Sequence, residues 1–159
     1  MPHPKHPTTL LTGFLGAGKT TFLNALMAWK PDTRFAIIEN EVGETGIDGD
    51  LIVGADDNLM ALNNGCICCS LNDNLLTILQ NLHEQSHEWD ELLIEATGIA
   101  DPAGVASPFF NHPAIQKHFE LRQVIGLVDG TAIQAQLAAD DTAARQIAFS
   151  DTLLINKTD

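Results

Sequence analysis

The amino-acid sequence predicts an α/β protein of three layers, in which helices cover both faces of a mostly parallel, doubly wound sheet. Short apolar and β-branched runs alternate along the chain with longer segments whose apolar residues recur at helical spacing. Consecutive runs are separated by enough chain for a helical crossover, which parallel strands require. A length of 159 residues is sufficient for one domain with a substantial core.

The strands and helices alternate in order. Core strands are predicted over 8–12, 34–38, 91–94, 123–128 and 152–155, with a shorter strand over 58–62. A first helix is predicted over 21–27, with Phe22, Leu23 and Leu26 facing inward. A second helix carries Leu75, Leu76, Leu79 and Leu82, and further helices are predicted around 103–110, 131–138 and 142–149.

A glycine-rich stretch between the first strand and the first helix reads G-x-x-x-x-G-K-T over 13–20. Its glycines let the backbone curl so that N–H groups face a phosphate, and the helix N-terminus adds a favourable dipole. Lys19 would reach the β- and γ-phosphates, and the Thr20 hydroxyl would ligate Mg²⁺. This context predicts a P-loop NTPase fold and a nucleotide-phosphate site. The residues assigned to it are Gly13, Gly16, Ala17, Gly18, Lys19, Thr20 and Thr21.

Charge and hydropathy exclude two classes of partner. The formal net charge is −13, from 8 basic and 21 acidic residues, and a nucleic-acid binder needs a basic face. No apolar run approaches the roughly 20 residues of a membrane helix. Residues 1–7 lack the apolar core of a secretory signal. They are predicted to form a flexible arm with His3 and His6 solvated, ahead of a domain over 8–159.

The three cysteines, Cys66, Cys68 and Cys69, form a C-x-C-C cluster. An odd, tight cluster is a poor disulfide framework and indicates a reducing compartment, which we take to be the cytoplasm. Soft thiolates favour Zn²⁺ or a similar ion, with Cys68 and one other cysteine as ligands and with carboxylates or water completing the shell. Two other interpretations stay open, namely three small buried side chains and a redox role.

Acidic residues follow the second strand, over 39–48, at an edge where α/β proteins bind ligands. Glu39 and Glu44 are candidate auxiliary metal ligands. Either Glu41 or Asp48 could position Mg²⁺ or the attacking water, with Glu41 the catalytic candidate. The sequence does not separate these roles.

Two further strand ends carry candidate residues. Glu95 closes the strand over 91–94 and would hold Mg²⁺, directly or through water, while Gly98 would sense the γ-phosphate. The chain ends in Asn-Lys-Thr-Asp after the last strand. Asp159 can accept hydrogen bonds from N1–H and the 2-amino group of guanine, a donor pair that adenine lacks. The Lys157 stem would cover the base, and Asn156 would brace the P-loop.

Residues 83–87 spell H-E-x-x-H, a metalloprotease signature. On one helix the two histidines would share a face, with the glutamate as base. The segment closes a helix in mid-domain, and no third ligand stands at a suitable spacing. The match is therefore interpreted as incidental.

Taken together, these motifs resemble the CobW-type P-loop GTPases. The resemblance rests on 13–20, on 38–48, on the C-x-C-C cluster, on Glu-Ala-Thr-Gly over 95–98 and on 156–159. Many GTPases share the first and the last of these motifs. The C-x-C-C cluster between them is far more restrictive, and it is what narrows the resemblance to this family.

The resemblance implies Mg²⁺-dependent hydrolysis of GTP to GDP, coupled to handling of a transition metal, most often Zn²⁺, or Co²⁺ in the cobalamin branch. It also implies a client metalloprotein. Family members continue beyond the guanine motif, so the chain is interpreted as an N-terminal GTPase domain truncated there. The alternative function is a non-hydrolysing nucleotide- and metal-binding module that responds to metal.

Overall fold

The computed structural model describes residues 4–39, 59–63, 71–96, 98 and 100–158, with the backbone alone for 39, 59–63 and 71–74. Strands and helices alternate along most of this length. The strands are β1 (His6–Gly13), β2 (Phe35–Glu39), β3 (Leu59–Asn63), β4 (Glu91–Glu95), β5 (Phe119–Asp129) and β6 (Thr152–Asn156). The helices are α1 (Lys19–Trp29), α2 (Leu71–Glu84), α3 (Pro102–Asn111), α4 (Pro113–His118), α5 (Ile133–Ala139) and α6 (Thr142–Phe149).

The strands form one six-stranded sheet in the order β3-β2-β4-β1-β5-β6. Every pairing between neighbours is parallel. The strand order reverses direction around β1, as in a doubly wound sheet, and all carboxyl ends lie at one edge. In open sheets of this kind, ligands bind at that edge, close to the reversal of strand order.

Alternate residues of the central strands face two separate apolar cores. Leu10, Ile38 and Ile94 belong to one core, which α2, α3 and α4 cover. Their neighbours Leu11, Ile37 and Leu93 belong to the other, which α1 covers through buried Leu23 and partly buried Phe22 and Leu26. This period of two along each strand, with helices on both faces, confirms the predicted three-layer α/β fold. Each fully buried Leu or Ile contributes about 1.5–3 kcal/mol.

The main differences from the sequence-based prediction lie at the amino ends of β1 and β5. β1 begins at His6, two positions before the predicted start, because His6 and Pro7 pair with Phe119 and Glu120. The His6 ring lies 4.7 Å from that of Trp89 and 5.2 Å from that of Phe119, centroid to centroid. His6 is therefore half-buried in the sheet, and its prediction as a solvated arm residue was wrong.

The H-E-x-x-H residues do not share a helix. α2 ends at Glu84, and His87 lies in the following turn with its side chain 76% exposed. The interpretation of this match as incidental agrees with that geometry. Among the described residues, no helix is both long enough and apolar enough to cross a membrane.

Candidate functional site

The loop between β1 and α1 adopts a conformation that depends on its glycines. Gly18 immediately precedes the first residue of α1, with φ +104°. This φ disfavours any residue with a side chain, and a Cβ on Gly18 would lie 2.5 Å from Asn156 Nδ2 and displace that amide. Ala17 is buried and donates its N–H to Phe14 O over 3.1 Å. The loop delivers the N-terminus of α1, with the positive end of its helix dipole, to the carboxyl edge.

Lys19 lies folded against the same loop. Its side chain is buried, with 7% exposure, and Nζ donates to Gly13 O over 2.7 Å and to Phe14 O over 3.0 Å. These contacts hold a positive charge at the loop. Thr20 follows in the first turn of α1 and is half-buried, while Thr21 is exposed.

The segment after β6 contacts the P-loop directly. Asn156 Nδ2 donates to Ala17 O over 3.2 Å, the contact expected of an asparagine that braces the loop. Lys157 Nζ donates to Gly16 O over 2.7 Å. Lys157 has φ +55°, an uncommon conformation for a residue with a side chain, which the surrounding contacts must hold. The glycine-rich loop and the Asn156-Lys157 segment, about 140 positions apart in sequence, are thus in direct contact.

Asp129, the last residue of β5, connects these elements. Its Oδ1 accepts hydrogen bonds from Thr131 N over 2.9 Å and Thr131 Oγ1 over 2.6 Å, and its Oδ2 lies 3.0 Å from Lys157 Nζ. The Thr131 hydroxyl first, and the Lys157 ammonium second, lower the pKa of Asp129 to about 2. The carboxylate is therefore ionised at neutral pH. The sequence indicated only that a strand ends here.

The loop after β4 approaches the P-loop from the other side. Glu95 is half-buried at the end of β4, and a Cβ on Gly98 would overlap the backbone nitrogen of Leu15. Gln146 Nε2 donates to Gly98 O over 3.1 Å. Gln146 was missed by the sequence analysis, because a glutamine among helical residues usually faces solvent. Here it has only 4% exposure and supports this loop from α6.

Several predicted site residues lie outside the described residues. These are Glu41, Glu44, Asp48, Cys66, Cys68, Cys69 and Asp159. Glu39 is described by its backbone, which pairs with Asn63 of β3 on one side and Glu95 of β4 on the other. Among the described residues, no group of three or more His, Cys, Asp or Glu side chains is arranged to hold a metal ion.

Comparison with known proteins agrees with this arrangement. The chain is 42% identical over 155 residues to the zinc chaperone YjiA of Escherichia coli, covering 95% of this chain and 49% of the relative. It is 36% identical over 160 residues to the zinc-regulated GTPase metalloprotein activator 1 of Schizosaccharomyces pombe, covering 96% and 39%. The chain thus spans about half the length of these curated relatives, or less.

Solved structures show the same fold. The crystal structure of Zn(II)-bound YjiA GTPase from E. coli superposes with a TM-score of 0.68 at 32% identity, covering 96% of this chain and 49% of that one. A Zn(II)-bound triple mutant of YjiA superposes with a TM-score of 0.69 at 31% identity and the same coverage. The family model described as "CobW/HypB/UreG, nucleotide-binding domain" matches residues 7–159. The chain therefore belongs to the CobW/HypB/UreG nucleotide-binding domain family.

Proposed function

We propose that this chain binds GTP with Mg²⁺, hydrolyses it, and couples hydrolysis to the binding and transfer of a transition metal. Zinc is the proposed metal, with cobalt as the alternative. The observation that carries the proposal is the joining of the P-loop to the Asn156-Lys157 segment through Ala17 O and Gly16 O. A phosphate cradle held against a guanine motif is the arrangement that GTP binding requires.

For the phosphates, the chain offers backbone N–H groups at the start of α1 and the Lys19 ammonium. In this role Lys19 moves its hydrogen bonds from loop carbonyls to β- and γ-phosphate oxygens, where it stabilises developing negative charge. The hydroxyl and carboxylate oxygens of Thr20 and Glu95 suit Mg²⁺, a hard cation that prefers oxygen ligands. Mg²⁺, when bound, neutralises charge on the β- and γ-phosphates.

For hydrolysis, Gly98 and Glu41 have the proposed roles. The backbone of Gly98 approaches the P-loop closely enough to sense a γ-phosphate, and Gln146 supports it there. Glu41 follows β2 by two residues and would orient the attacking water. We assign the recognition of guanine to Asp159. The aliphatic stem of Lys157 would lie over the plane of the base.

For the metal, Cys66, Cys68 and Cys69 are the proposed thiolate ligands, with Glu39 and Glu44 as auxiliary ligands. The names of the relatives, zinc chaperone and zinc-regulated GTPase, support zinc as the cargo. The register of the sheet supports the auxiliary role of Glu39. Its backbone pairs with Asn63, three positions before Cys66 in sequence, so the strand ends that precede the two sets of proposed ligands are neighbours in the sheet. A client metalloprotein would receive the metal.

The position of β2 supports coupling between the two ligands. β2 lies between β3, which leads to the cysteines, and β4, which carries Glu95. A segment leaving β2 can therefore respond to both the nucleotide and the metal. If it does, GTP and GDP forms must differ in zinc affinity, and zinc must change the GTP-to-GDP affinity ratio by the same factor, roughly 5–150-fold.

The experiment is a zinc-competition titration on the protein loaded with GDP or a non-hydrolysable GTP analogue, with magnesium fixed. We expect different zinc affinities in the two forms. Cys68→Ala should weaken zinc binding and remove the difference, while GTP affinity without zinc stays unchanged. His87→Ala removes an exposed histidine and serves as the matched control. Equal zinc affinity in both nucleotide forms would show that the sites are uncoupled and would overturn metal delivery.

A GTP hydrolysis assay, with and without zinc, separates the proposed enzyme from the binding-only alternative. Turnover that depends on Lys19 supports the enzyme. GTP binding without turnover under both conditions would support the binding module.

A further inference from the structure

Three histidines from three separate elements meet at the end of the sheet opposite the P-loop. His6 is the first residue of β1, His83 lies in the last turn of α2, and His118 ends α4. His6 and Gly13 are seven strand positions apart, which corresponds to about 23 Å along β1. The cluster is therefore remote from the phosphate loop.

The two closest imidazole nitrogens face each other. His6 Nε2 and His83 Nδ1 lie 3.1 Å apart, and the His118 ring packs on the His83 ring with 3.8 Å between centroids and 31° between planes. Trp89 and Phe119 enclose the His6 ring from the core side. Both rings of the His6–His83 pair are thus fixed by neighbours on separate elements, which lowers the entropy cost of holding a shared ligand.

The separation of these nitrogens suits two ligands of one metal ion. With metal–nitrogen bonds of about 2.0–2.1 Å, nitrogens 3.1 Å apart subtend an angle of about 95–100° at the metal. That angle lies between the octahedral and tetrahedral values. In the metal-free protein one nitrogen must donate a proton to the other. For both nitrogens to ligate, the donor ring would change tautomer, with its proton moving to the other nitrogen of the same ring.

The surroundings define which ions the pair would bind. A cavity of about 390 Å³ adjoins it, with space for water or another ligand. The cavity is lined by Pro4, His6, His83, Ser86, Lys117 and His118. This lining has no carboxylate, so it does not favour Mg²⁺ or Ca²⁺, whereas imidazole suits Zn²⁺, Ni²⁺ and Cu²⁺. The positive charge of the Lys117 ammonium repels a bound metal cation and limits the affinity of the site for it.

We propose that His6 Nε2 and His83 Nδ1 form a transition-metal site at the amino end of the sheet, with water completing the coordination shell. The site takes late first-row divalent ions and is independent of the cysteines and of the nucleotide. It gives the protein a second metal-binding location beyond the metal cargo of the proposed function.

The test is a zinc titration followed by NMR of the imidazole nitrogens in protein labelled at its six histidines. The three cysteines are replaced by serine so that no thiolate competes. We expect the ¹⁵N resonances of His6 Nε2 and His83 Nδ1 to change together, in proportion to bound zinc, while those of His87 stay constant. Magnesium at the same concentrations should change neither. Unchanged His6 and His83 resonances at saturating zinc would overturn the proposal.

Variants provide a second measurement by calorimetry in the same cysteine-free background. His83→Ala removes one of the two ligands and should weaken zinc binding by about ten-fold or more. His87→Ala makes the same chemical change four positions later, at an exposed side chain, and should bind zinc as the parent does. An equal loss of zinc affinity in His83→Ala and His87→Ala would overturn the assignment of His83 as a ligand. Because the NMR titration needs no change at His6 or His83, it decides the question even where His83→Ala does not fold.

Discussion

The Lys157 ammonium lies 3.0 Å from the Asp129 carboxylate while it also donates to Gly16 O over 2.7 Å. One side chain thus connects the end of β5, the segment after β6 and the P-loop. Asp129 is held in turn by the Thr131 backbone and hydroxyl. In this arrangement Asp129 positions Lys157, so we expect Asp129 to affect nucleotide binding only indirectly.

The first prediction concerns Asp129→Asn. The variant keeps the shape of the side chain but removes the charge that orients Lys157, so GTP affinity should fall by about two- to five-fold, the scale of a partly exposed ion pair. Affinity for inorganic triphosphate should be unchanged, because the P-loop remains intact. Isothermal titration measures both. Glu120→Gln, which disrupts the exposed pair with Arg122, is the control and should have no effect. A similar loss for both ligands would contradict a positioning role.

The second prediction concerns the stability of the folded protein at acidic pH. The pKa of Asp129 is lowered from 3.8 to about 2 in the folded protein, so the folded state favours the carboxylate. Its contribution to stability is therefore fully present above pH 3.8 and is lost as the pH falls through about 2. The difference in urea midpoint between the wild type and Asp129→Asn should shrink from pH 6 to pH 3. With Asp32→Asn as control, a difference that stays constant over this range would refute the assignment.

The third prediction concerns Lys19→Ala. Removing the lysine held at the P-loop should abolish hydrolysis and reduce GTP affinity by about ten-fold or more, from loss of a charge-assisted contact worth roughly 1.5–3 kcal/mol. Lys30→Ala, which disrupts an exposed ion pair with Glu91, should leave binding unchanged. Calorimetry that finds equal GTP affinity in wild type and Lys19→Ala would exclude this phosphate site.

The fourth prediction concerns Gly98→Ala. The added methyl group would overlap the P-loop backbone at Leu15, and backbone atoms cannot rotate away as a side chain can. The loop after β4 must therefore shift, so we expect GTP turnover to fall by about a hundred-fold or more, on the scale of losing one positioned donor. GDP affinity should change much less, since GDP has no γ-phosphate. Equal effects on turnover and on GDP binding would indicate a general disruption instead.

The fifth prediction concerns base choice. Asp159→Asn exchanges a hydrogen-bond acceptor for a donor opposite the guanine amino group, so preference should shift from guanosine to xanthosine nucleotides. Competition of GTP, XTP and ATP against a fluorescent nucleotide measures this shift, with Asp32→Asn as the control. If the wild type binds ATP and GTP alike, Asp159 does not determine base choice, although the phosphate site can still be correct.

Much of the fold was predictable because its strands are buried on both faces. Leu10-Leu11, Ile37-Ile38 and Leu93-Ile94 each supply one residue to each core, and such continuous apolar runs are typical of central parallel strands. The P-loop was predictable because its glycines and lysine occupy fixed spacings. The sequence analysis was least accurate where contacts distant in sequence decide the structure.

Two residues and one helix illustrate this limit. His6 extends β1 because the amino end of β5 pairs with it, and nothing local to residues 1–7 indicates that partner. The short helix α4 was missed, since six residues give too little periodicity to predict a helix. Gln146 is buried because a carbonyl on a loop 48 positions earlier accepts its amide hydrogen. His6 and Gln146 each depend on a tertiary contact that overrides local preference.

The position of β6 at the edge of the described sheet separates the two proposed parts of the nucleotide site in local stability. In the described sheet β6 pairs with β5 alone, and Ile155 is 63% exposed, whereas β1 pairs on both sides and leads into the P-loop. Edge strands open at lower free energy than central ones, so amide protons of β6 would exchange before those of β1. Under mild destabilisation the protein would lose discrimination between bases while it still held a triphosphate. Discrimination between bases would therefore be lost under milder conditions than affinity for the triphosphate.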